Sequence, residues 1–165
     1  MPVLIATPDP SLAQPPPLPT GCLMRPCAPG DEEELAYLYF RAYPPGEASA
    51  TLEEARADIA ASFAGAYGEF WPSASPVVLC DDALVAAVLT VRRASWEDAP
   101  ACPYIIEVFT APEQRRRGLA RAVVQAAMAK LHESGEQQVA LTVEAENSPA
   151  LALYASLGFR EATGT

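Results

Sequence analysis

The sequence predicts an α/β (α+β) domain of about six strands and four helices. Two features point there. Apolar runs of strand length, bounded by proline, glycine and aspartate, share the chain with longer segments of helical period. One such run, Tyr104 to Thr110, is stopped by Pro112 and passes through a tight basic turn directly into an apolar-periodic helix. With 165 residues, half of them apolar, the chain is long enough for one domain with its own core.

Taken in order, residues 1–20 hold seven prolines, including Pro15, Pro16 and Pro17, and read as an extended tail ahead of a single domain over 21–165. Val3-Leu4-Ile5-Ala6 is the exception, apolar enough to add to a sheet edge. Cys22 to Pro26 reads as a first strand ended by its proline. Pro29-Gly30-Asp31 turns the chain, with Asp31 as helix N-cap and Glu34 three residues on in a capping-box pattern. This helix carries Leu35, Leu38, Tyr39 and Phe40 to about Tyr43, where Pro44-Pro45-Gly46 breaks it. A second begins at Thr51, again with an acid three on at Glu54, and runs to about Ala64. Pro76 to Cys80, the Asp81-Asp82 turn and Ala83 to Arg92 read as an antiparallel hairpin; residues 93–103 are a loop.

The helix from Arg117 to about Ser134 places Leu119, Val123, Ala127 and Leu131 four apart, flanked by Val124 and Met128, a stripe wide enough to bury on a sheet. Gly135 closes it, and Gln138 to Val143 is a further strand. Ser148-Pro149 is an N-cap followed by proline at the first helical position. That last helix runs to Leu157, Gly158 closes it, and Phe159 starts a final strand.

A net charge of −10 argues against a nucleic-acid binder, because phosphate neutralisation needs a cationic face. The acidity serves solubility or draws amines to the surface. Cys22, Cys27, Cys80 and Cys102 form no C-x-x-C pair and the single histidine, His132, is remote, so no metal set is expected. The cysteines read as reduced thiols of a cytoplasmic protein. The N-terminus has no cationic start with a long apolar region, and no run approaches the ~18 apolar residues of a membrane span.

Against this acidic background, Arg115, Arg116, Arg117 and Arg121 put four of the eleven basic residues within seven positions around Gly118. A strand, a turn rich in free N–H groups and a helix N-terminus make an anion site, so a phosphorylated ligand is expected there.

The order Arg-x-x-Gly-x-Ala from Arg115 to Ala120, after a strand and Ala-Pro-Glu, resembles the acyl-CoA signature of the GNAT acetyltransferase superfamily. Asn147, and then Ala152-Leu153-Tyr154-Ala155-Ser156-Leu157-Gly158-Phe159, resemble that family's closing motif at its usual distance. The resemblance covers about Pro26 to Arg160 and is close from Tyr104 onward. It implies the GNAT acyl-CoA N-acyltransferase fold, a mixed central sheet flanked by helices. It also implies acetyl transfer from acetyl-CoA, as co-substrate, to a primary amine in a ternary complex. The family's sheet usually continues through a longer sixth strand and a seventh, so the C-terminal strands are shortened here. Either the sheet is trimmed, or the N-terminal segment or a second subunit of a homodimer completes it.

By the same resemblance, the amides from Arg116 through Leu119 and Ala120 to Arg121 would bind the pyrophosphate, with Gly118 and Ala120 small enough for close approach and the four arginines contributing side chains. The main chain of Val108, Phe109 and Thr110 would hold the pantetheine arm and polarise the thioester. Asn147 matches the asparagine that contacts the cofactor arm, and Tyr154 the tyrosine that protonates the departing thiolate. The acceptor, small molecule or peptide, would lie between the first two helices, where Tyr37, Tyr39, Tyr43, Phe63, Tyr67, Phe70 and Trp71 are available.

The general base has several candidates. Glu107 interrupts an apolar strand, where an unpaired carboxylate is costly to bury and its pKa would rise; a neighbouring arginine could equally pair it. The position that carries a proposed base in the branch acetylating ribosomal-protein N-termini is Thr142 here, which cannot serve. Glu144 lies two residues on, and a water relay is a further route. Two readings of other classes stand beside turnover: an acyl-CoA-binding regulatory module, and a scaffold whose Pro-rich tail is its contact site.

Overall fold

The computed structural model describes residues 1–9, 17–44 and 47–162. Much of the Pro-rich segment, including Pro15 and Pro16, the Pro45-Gly46 break and the end of the chain lie outside the described residues.

The sheet is seven-stranded and mixed, in the order β2-β3-β4-β5-β6-β1-β7. Its strands are β1 (Val3–Ala6), β2 (Cys22–Pro26), β3 (Pro76–Cys80), β4 (Ala83–Val91), β5 (Tyr104–Thr110), β6 (Val139–Thr142) and β7 (Arg160–Glu161). The helices are α1 (Glu32–Ala42), α2 (Leu52–Ala64), α3 (Leu119–Glu133) and α4 (Ser148–Ser156). From Leu84 to Val91, β4 is buried at every residue rather than at alternate ones. That pattern requires cover on both faces. It comes from α1 and α3, which both pack on β4 and β5, with α2 lying against α1.

The α3 stripe behaves as its spacing predicts: Leu119, Val123, Ala127 and Leu131 are all buried, as are Val124 and Met128. Each large apolar side chain removed from water there stabilises the domain by ~1.5–3 kcal/mol.

The sheet is completed from within the chain. β1 inserts between β6 and β7, antiparallel to both, with Val3 opposite Thr142 and Leu4 opposite Glu161. Of the routes open in the sequence, the N-terminal segment is the one taken.

Three local expectations are corrected. Asp31 does not cap with its side chain. Its carboxylate accepts two hydrogen bonds from the Arg25 guanidinium (2.7 and 2.8 Å) and one from the Ala28 amide (2.8 Å). Glu34 accepts from the Leu84 amide at 2.7 Å, tying α1 to the start of β4. Tertiary partners thus replace the capping box. At α2 the local signal does hold: Thr51 accepts from the Glu54 amide (3.1 Å), while Glu54 accepts from the Ala50 amide (2.8 Å).

At α4 the N-cap is Asn147, not Ser148; its side-chain oxygen accepts from the Ala150 amide at 3.2 Å. The cysteines are not all free thiols. Cys22 and Cys80 are direct cross-strand partners on β2 and β3 and are disulfide-bonded, whereas Cys27 and Cys102 are free and buried. The register of two strands far apart in sequence made this pair, which no local spacing encodes.

Candidate active site

β5 is where the sheet stops being regular. It pairs with β4 along its whole length, but an extra residue, Ile106, bulges out between Ile105 (opposite Thr90) and Glu107 (opposite Leu89). On its other side β5 pairs with β6 only at Tyr104 and Ile105. Beyond that point the two parallel strands part, and Glu107, Val108, Phe109 and Thr110 have no main-chain partner on the β6 side among the described residues, although the Val108 carbonyl accepts from the Tyr43 hydroxyl at 3.5 Å. A bulge re-aims side chains, and an unpaired strand edge can accept an extended ligand.

The turn after β5 continues this open edge. The Arg115 amide reaches the Pro112 carbonyl and the Ala122 amide reaches Gly118; no intervening amide, from Arg116 through Arg121, has a loop or turn partner among the described residues. Arg116 and Gly118 both take left-handed backbone, at φ of 64° and 79°. Alternating left-handed residues turn successive N–H groups to one side, and the start of α3 adds its own unpaired donors and positive dipole end. A Cβ at Gly118 would meet no protein atom within 4 Å, so the space over these amides is open. Such an arrangement of free amides can hold an anion. The arginine side chains are mostly engaged elsewhere. Arg115 donates to the Ala42 carbonyl at the end of α1, Arg117 to Gln114, and Arg121 to the Ser156 hydroxyl on α4 (2.6 Å).

Glu107 meets tyrosines, not an arginine. Tyr43, at the end of α1, donates its hydroxyl to Glu107 Oε1 at 3.2 Å, and Tyr39 lies four residues earlier on the same helix face. The rings of Tyr39 and Tyr43 meet edge-on at 5.5 Å, and Tyr39 meets Phe109 of β5 at 5.4 Å. Burial pushes the Glu107 carboxyl up to about 7, with the hydroxyls of Tyr43 and Tyr39 opposing and the charge of Asp58 adding. Tyr154, on α4, is buried with its ring against Phe159. Burial, and then the Glu107 charge, raise its hydroxyl to about 12. Glu107 of β5 and Tyr154 of α4 are thus near enough for the charge of one to act on the other.

On the α2 side of Glu107 opens a cleft of about 460 Å³, lined by residues that include Tyr39, Asp58, Tyr67, Trp96, Tyr104 and Thr142. Of the aromatics available in the sequence, Tyr39 and Tyr67 reach it. Phe63 and Phe70 stack on each other at 4.6 Å, Trp71 is buried beneath the Arg92 guanidinium, and Tyr37 is exposed beside Arg41. Asp58, Trp96 and Tyr104 were not singled out in the sequence. Their signal was weak: one acid on the inner side of α2, and a tryptophan in a loop.

Thr142 lines the same cleft with its hydroxyl bonded to the Tyr104 hydroxyl. Glu144 is exposed and lies past the end of β6. Asn147 is exposed at the start of α4; its side-chain oxygen caps the helix, and no partner is found for its amide nitrogen among the described residues.

Comparison with known proteins agrees with this layout. The profile of the acetyltransferase (GNAT) family matches residues 30–159. A mycothiol acetyltransferase of Pseudarthrobacter chlorophenolicus is 32% identical over 149 residues, covering 86% of this chain and 43% of that protein. The chain spans less than half the length of the curated relatives it matches. A GCN5-related N-acetyltransferase from Sphaerobacter thermophilus shares the fold with a TM-score of 0.69 at 23% identity, over 98% of this chain and 48% of that one. The aminoglycoside N-acetyltransferase AAC(6')-Iy, solved with CoA, has a TM-score of 0.66 at 18% identity, over 91% of this chain and 95% of that one. With the family profile spanning most of its length, and the parted strands and anion cradle in place, this chain belongs to the GNAT acetyltransferase family.

Proposed function

We propose that the chain transfers the acetyl group of acetyl-CoA to a primary amine by direct attack within a ternary complex. The observation that carries this reading is Glu107, a carboxyl that accepts from the Tyr43 hydroxyl at 3.2 Å and lines the cleft, where burial lifts it to about 7. A primary ammonium, with pKa ~10.4, must lose a proton before it can attack. A base near the working pH, placed where the amine would enter, is suited to take it.

Acetyl-CoA supplies the activated acyl group. The amides from Arg116 through Arg121 bind its pyrophosphate, and the free edge of Val108, Phe109 and Thr110 takes the pantetheine arm in strand fashion. An amide of that edge polarises the thioester carbonyl, where negative charge develops on attack. Asn147 contacts the arm from the start of α4. As the C–N bond forms and the C–S bond breaks, Glu107 holds the amine's proton and the thiolate leaves toward Tyr154. A thiol of pKa ~8.5 is a stronger acid than a hydroxyl at about 12. Tyr154 therefore stabilises the thiolate mainly by donating a hydrogen bond, and the second proton, lost from the attacking nitrogen once the C–N bond has formed, neutralises the thiolate as CoA thiol.

Because β1 completes the sheet within the chain, no second subunit is needed to complete it. We place the activity in the cytoplasm, where the Cys22–Cys80 disulfide would be an exception to the reduced state of most thiols. The decisive experiment follows thiol release on an amine panel across pH. Wild-type kcat/KM should rise with pH through about 7 as Glu107 ionises, and Glu107→Gln should lower it by ~10²–10⁴-fold. Undiminished turnover by Glu107→Gln would remove the base; failure of acetyl-CoA to bind at all would remove the reading.

A further inference from the structure

We infer that the acceptor cleft reads two positive charges: Glu107 receives the amine that reacts, and Asp58, with Tyr67 and Trp96, holds a second cationic group on the same molecule. The inference rests on the acetyl-transfer reading and names its substrate class: a diamine, or a primary amine bearing a second amino or guanidino group.

Among the described residues the cleft has two carboxylates on its walls and no arginine or lysine side chain; Met1, which carries the N-terminal amino group, lines it as well. They come from different elements, Glu107 from the bulged part of β5 and Asp58 from the middle of α2. Each keeps some contact with solvent, and neither forms an ion pair among the described residues. One carboxylate suffices to deprotonate an amine. A second of like charge facing the same space disfavours the ionised pair, and a cation bound between them offsets that.

The distal end is a built site rather than a chance acid on a surface. Tyr67 directs its hydroxyl at Asp58 Oδ1, 3.5 Å away, and is itself fixed from behind. The Ser95 amide donates to the Tyr67 carbonyl (3.0 Å), and the Ser95 hydroxyl donates to the Ala66 carbonyl (2.9 Å). Gly68 seals this junction: a Cβ there would lie 2.0 Å from the Arg93 carbonyl oxygen. The same clamp delivers Trp96, the residue after Ser95, whose ring meets Tyr104 edge-on at 4.8 Å, while Tyr104 is held by Thr142. Trp96 is 43% exposed and Tyr67 37%, so both rings are available to a ligand. Aromatic faces beside a carboxylate suit an ammonium or guanidinium through combined charge and cation–π attraction. The volume of about 460 Å³ suits a small molecule.

The test compares α,ω-diamines of two to six carbons with the n-alkylamines of equal length. It reads kcat/KM by thiol release and, independently of turnover, binding by calorimetry in the presence of CoA. Wild type should favour the best diamine over its monoamine by about tenfold, the size of one charge-assisted contact partly open to water. The preference should fall as salt is raised. In Asp58→Asn, an isosteric change, the diamine-to-monoamine ratio should collapse towards one. Equal use and equal binding of the two amines by wild type would overturn the inference, as would a ratio that survives Asp58→Asn. If no amine is acetylated yet calorimetry shows the diamine preference and its loss in Asp58→Asn, the catalytic reading fails and the two-charge cleft stands.

Discussion

Replacing Glu107 with glutamine should make the protein more stable at alkaline pH while disabling it. An ordinary glutamate titrates at 4.5, whereas burial beside Tyr39 and Tyr43 lifts Glu107 to about 7. Below 4.5 the group is protonated in both the folded and the unfolded chain, and it contributes no pH dependence. Between 4.5 and 7 the unfolded chain loses this proton and the folded one keeps it, so stability falls as pH rises. Above 7 the deficit is complete, and at ~1.36 kcal/mol per pKa unit it amounts to about 3 kcal/mol. Glutamine fills the same space and still accepts from the tyrosine hydroxyls, but carries no charge to desolvate. For a chain of this length each kcal/mol moves Tm by ~2–4 °C, so Glu107→Gln should melt about 6–12 °C above wild type at pH 8. At pH 4 the two should nearly coincide. The Arg25–Asp31 pair does not confuse the comparison. Arg25 holds the Asp31 carboxyl below its usual range, so its contribution is lost as pH falls through that lowered pKa, but equally in both proteins. Scanning calorimetry at pH steps from 4 to 8.5 measures the difference. A constant gap across pH, or a variant that melts lower at pH 8, would refute the claim that an enclosed, poorly compensated carboxylate sits at this position.

Tyr154→Phe keeps the buried ring against Phe159 and removes only the hydroxyl; kcat should fall by ~10–100-fold, the worth of a hydrogen bond to a charged group, with little change in KM for acetyl-CoA. Steady-state kinetics with kcat undiminished would exclude the thiolate contact. Gly118→Ala should reduce the stability of the free protein by ~1–2 kcal/mol, because φ is 79° there. It should also weaken CoA binding at least tenfold, because the new methyl occupies the open space over the amides; calorimetry finding destabilisation with unaltered CoA affinity would move the pyrophosphate elsewhere. Denatured without reductant, the oxidised protein should release two thiols, from Cys27 and Cys102, and not all four. Reduction of the Cys22–Cys80 bond, which spans 58 residues of sequence, should lower stability by about 4 kcal/mol on the chain-entropy account. Four thiols before reduction would rule the bond out.

What was legible in the sequence was what is encoded within a few residues. The strand, basic turn and α3 could be read because proline, glycine and a four-residue apolar period act locally, and α3 buries its stripe as that period requires. β1 carried only a faint signal, four apolar residues in a proline-rich segment. Its place between β6 and β7 is decided by pairing across more than 130 positions, Val3 with Thr142. The Asp31–Glu34 pattern misled for a related reason: a capping box is a local bargain, and both acids found stronger partners at Arg25 and Leu84. Glu107 was conspicuous as a charge in an apolar strand, but whether arginine or tyrosine faced it depended on where α1 ended. The distal end of the cleft gathers Asp58, Tyr67 and Trp96 from three segments, none informative alone.

The site's two halves share one structural cause. Had β5 kept its pairing with β6 to the end, the main chain from Glu107 to Thr110 would be consumed by the ladder. Had Ile106 not bulged, Glu107 would keep the alternation of a regular strand. The same departure from sheet geometry therefore leaves a strand edge open and accompanies a carboxylate that lines the cleft. Deleting Ile106 tests that coupling in a way that no side-chain substitution can. Restored register should displace Glu107 from Tyr43 and abolish acetyl transfer. The pyrophosphate cradle, which is fixed by Pro112, Gly118 and α3, should still bind CoA. Retention of full turnover by a folded deletion variant would show that the bulge does not place the base.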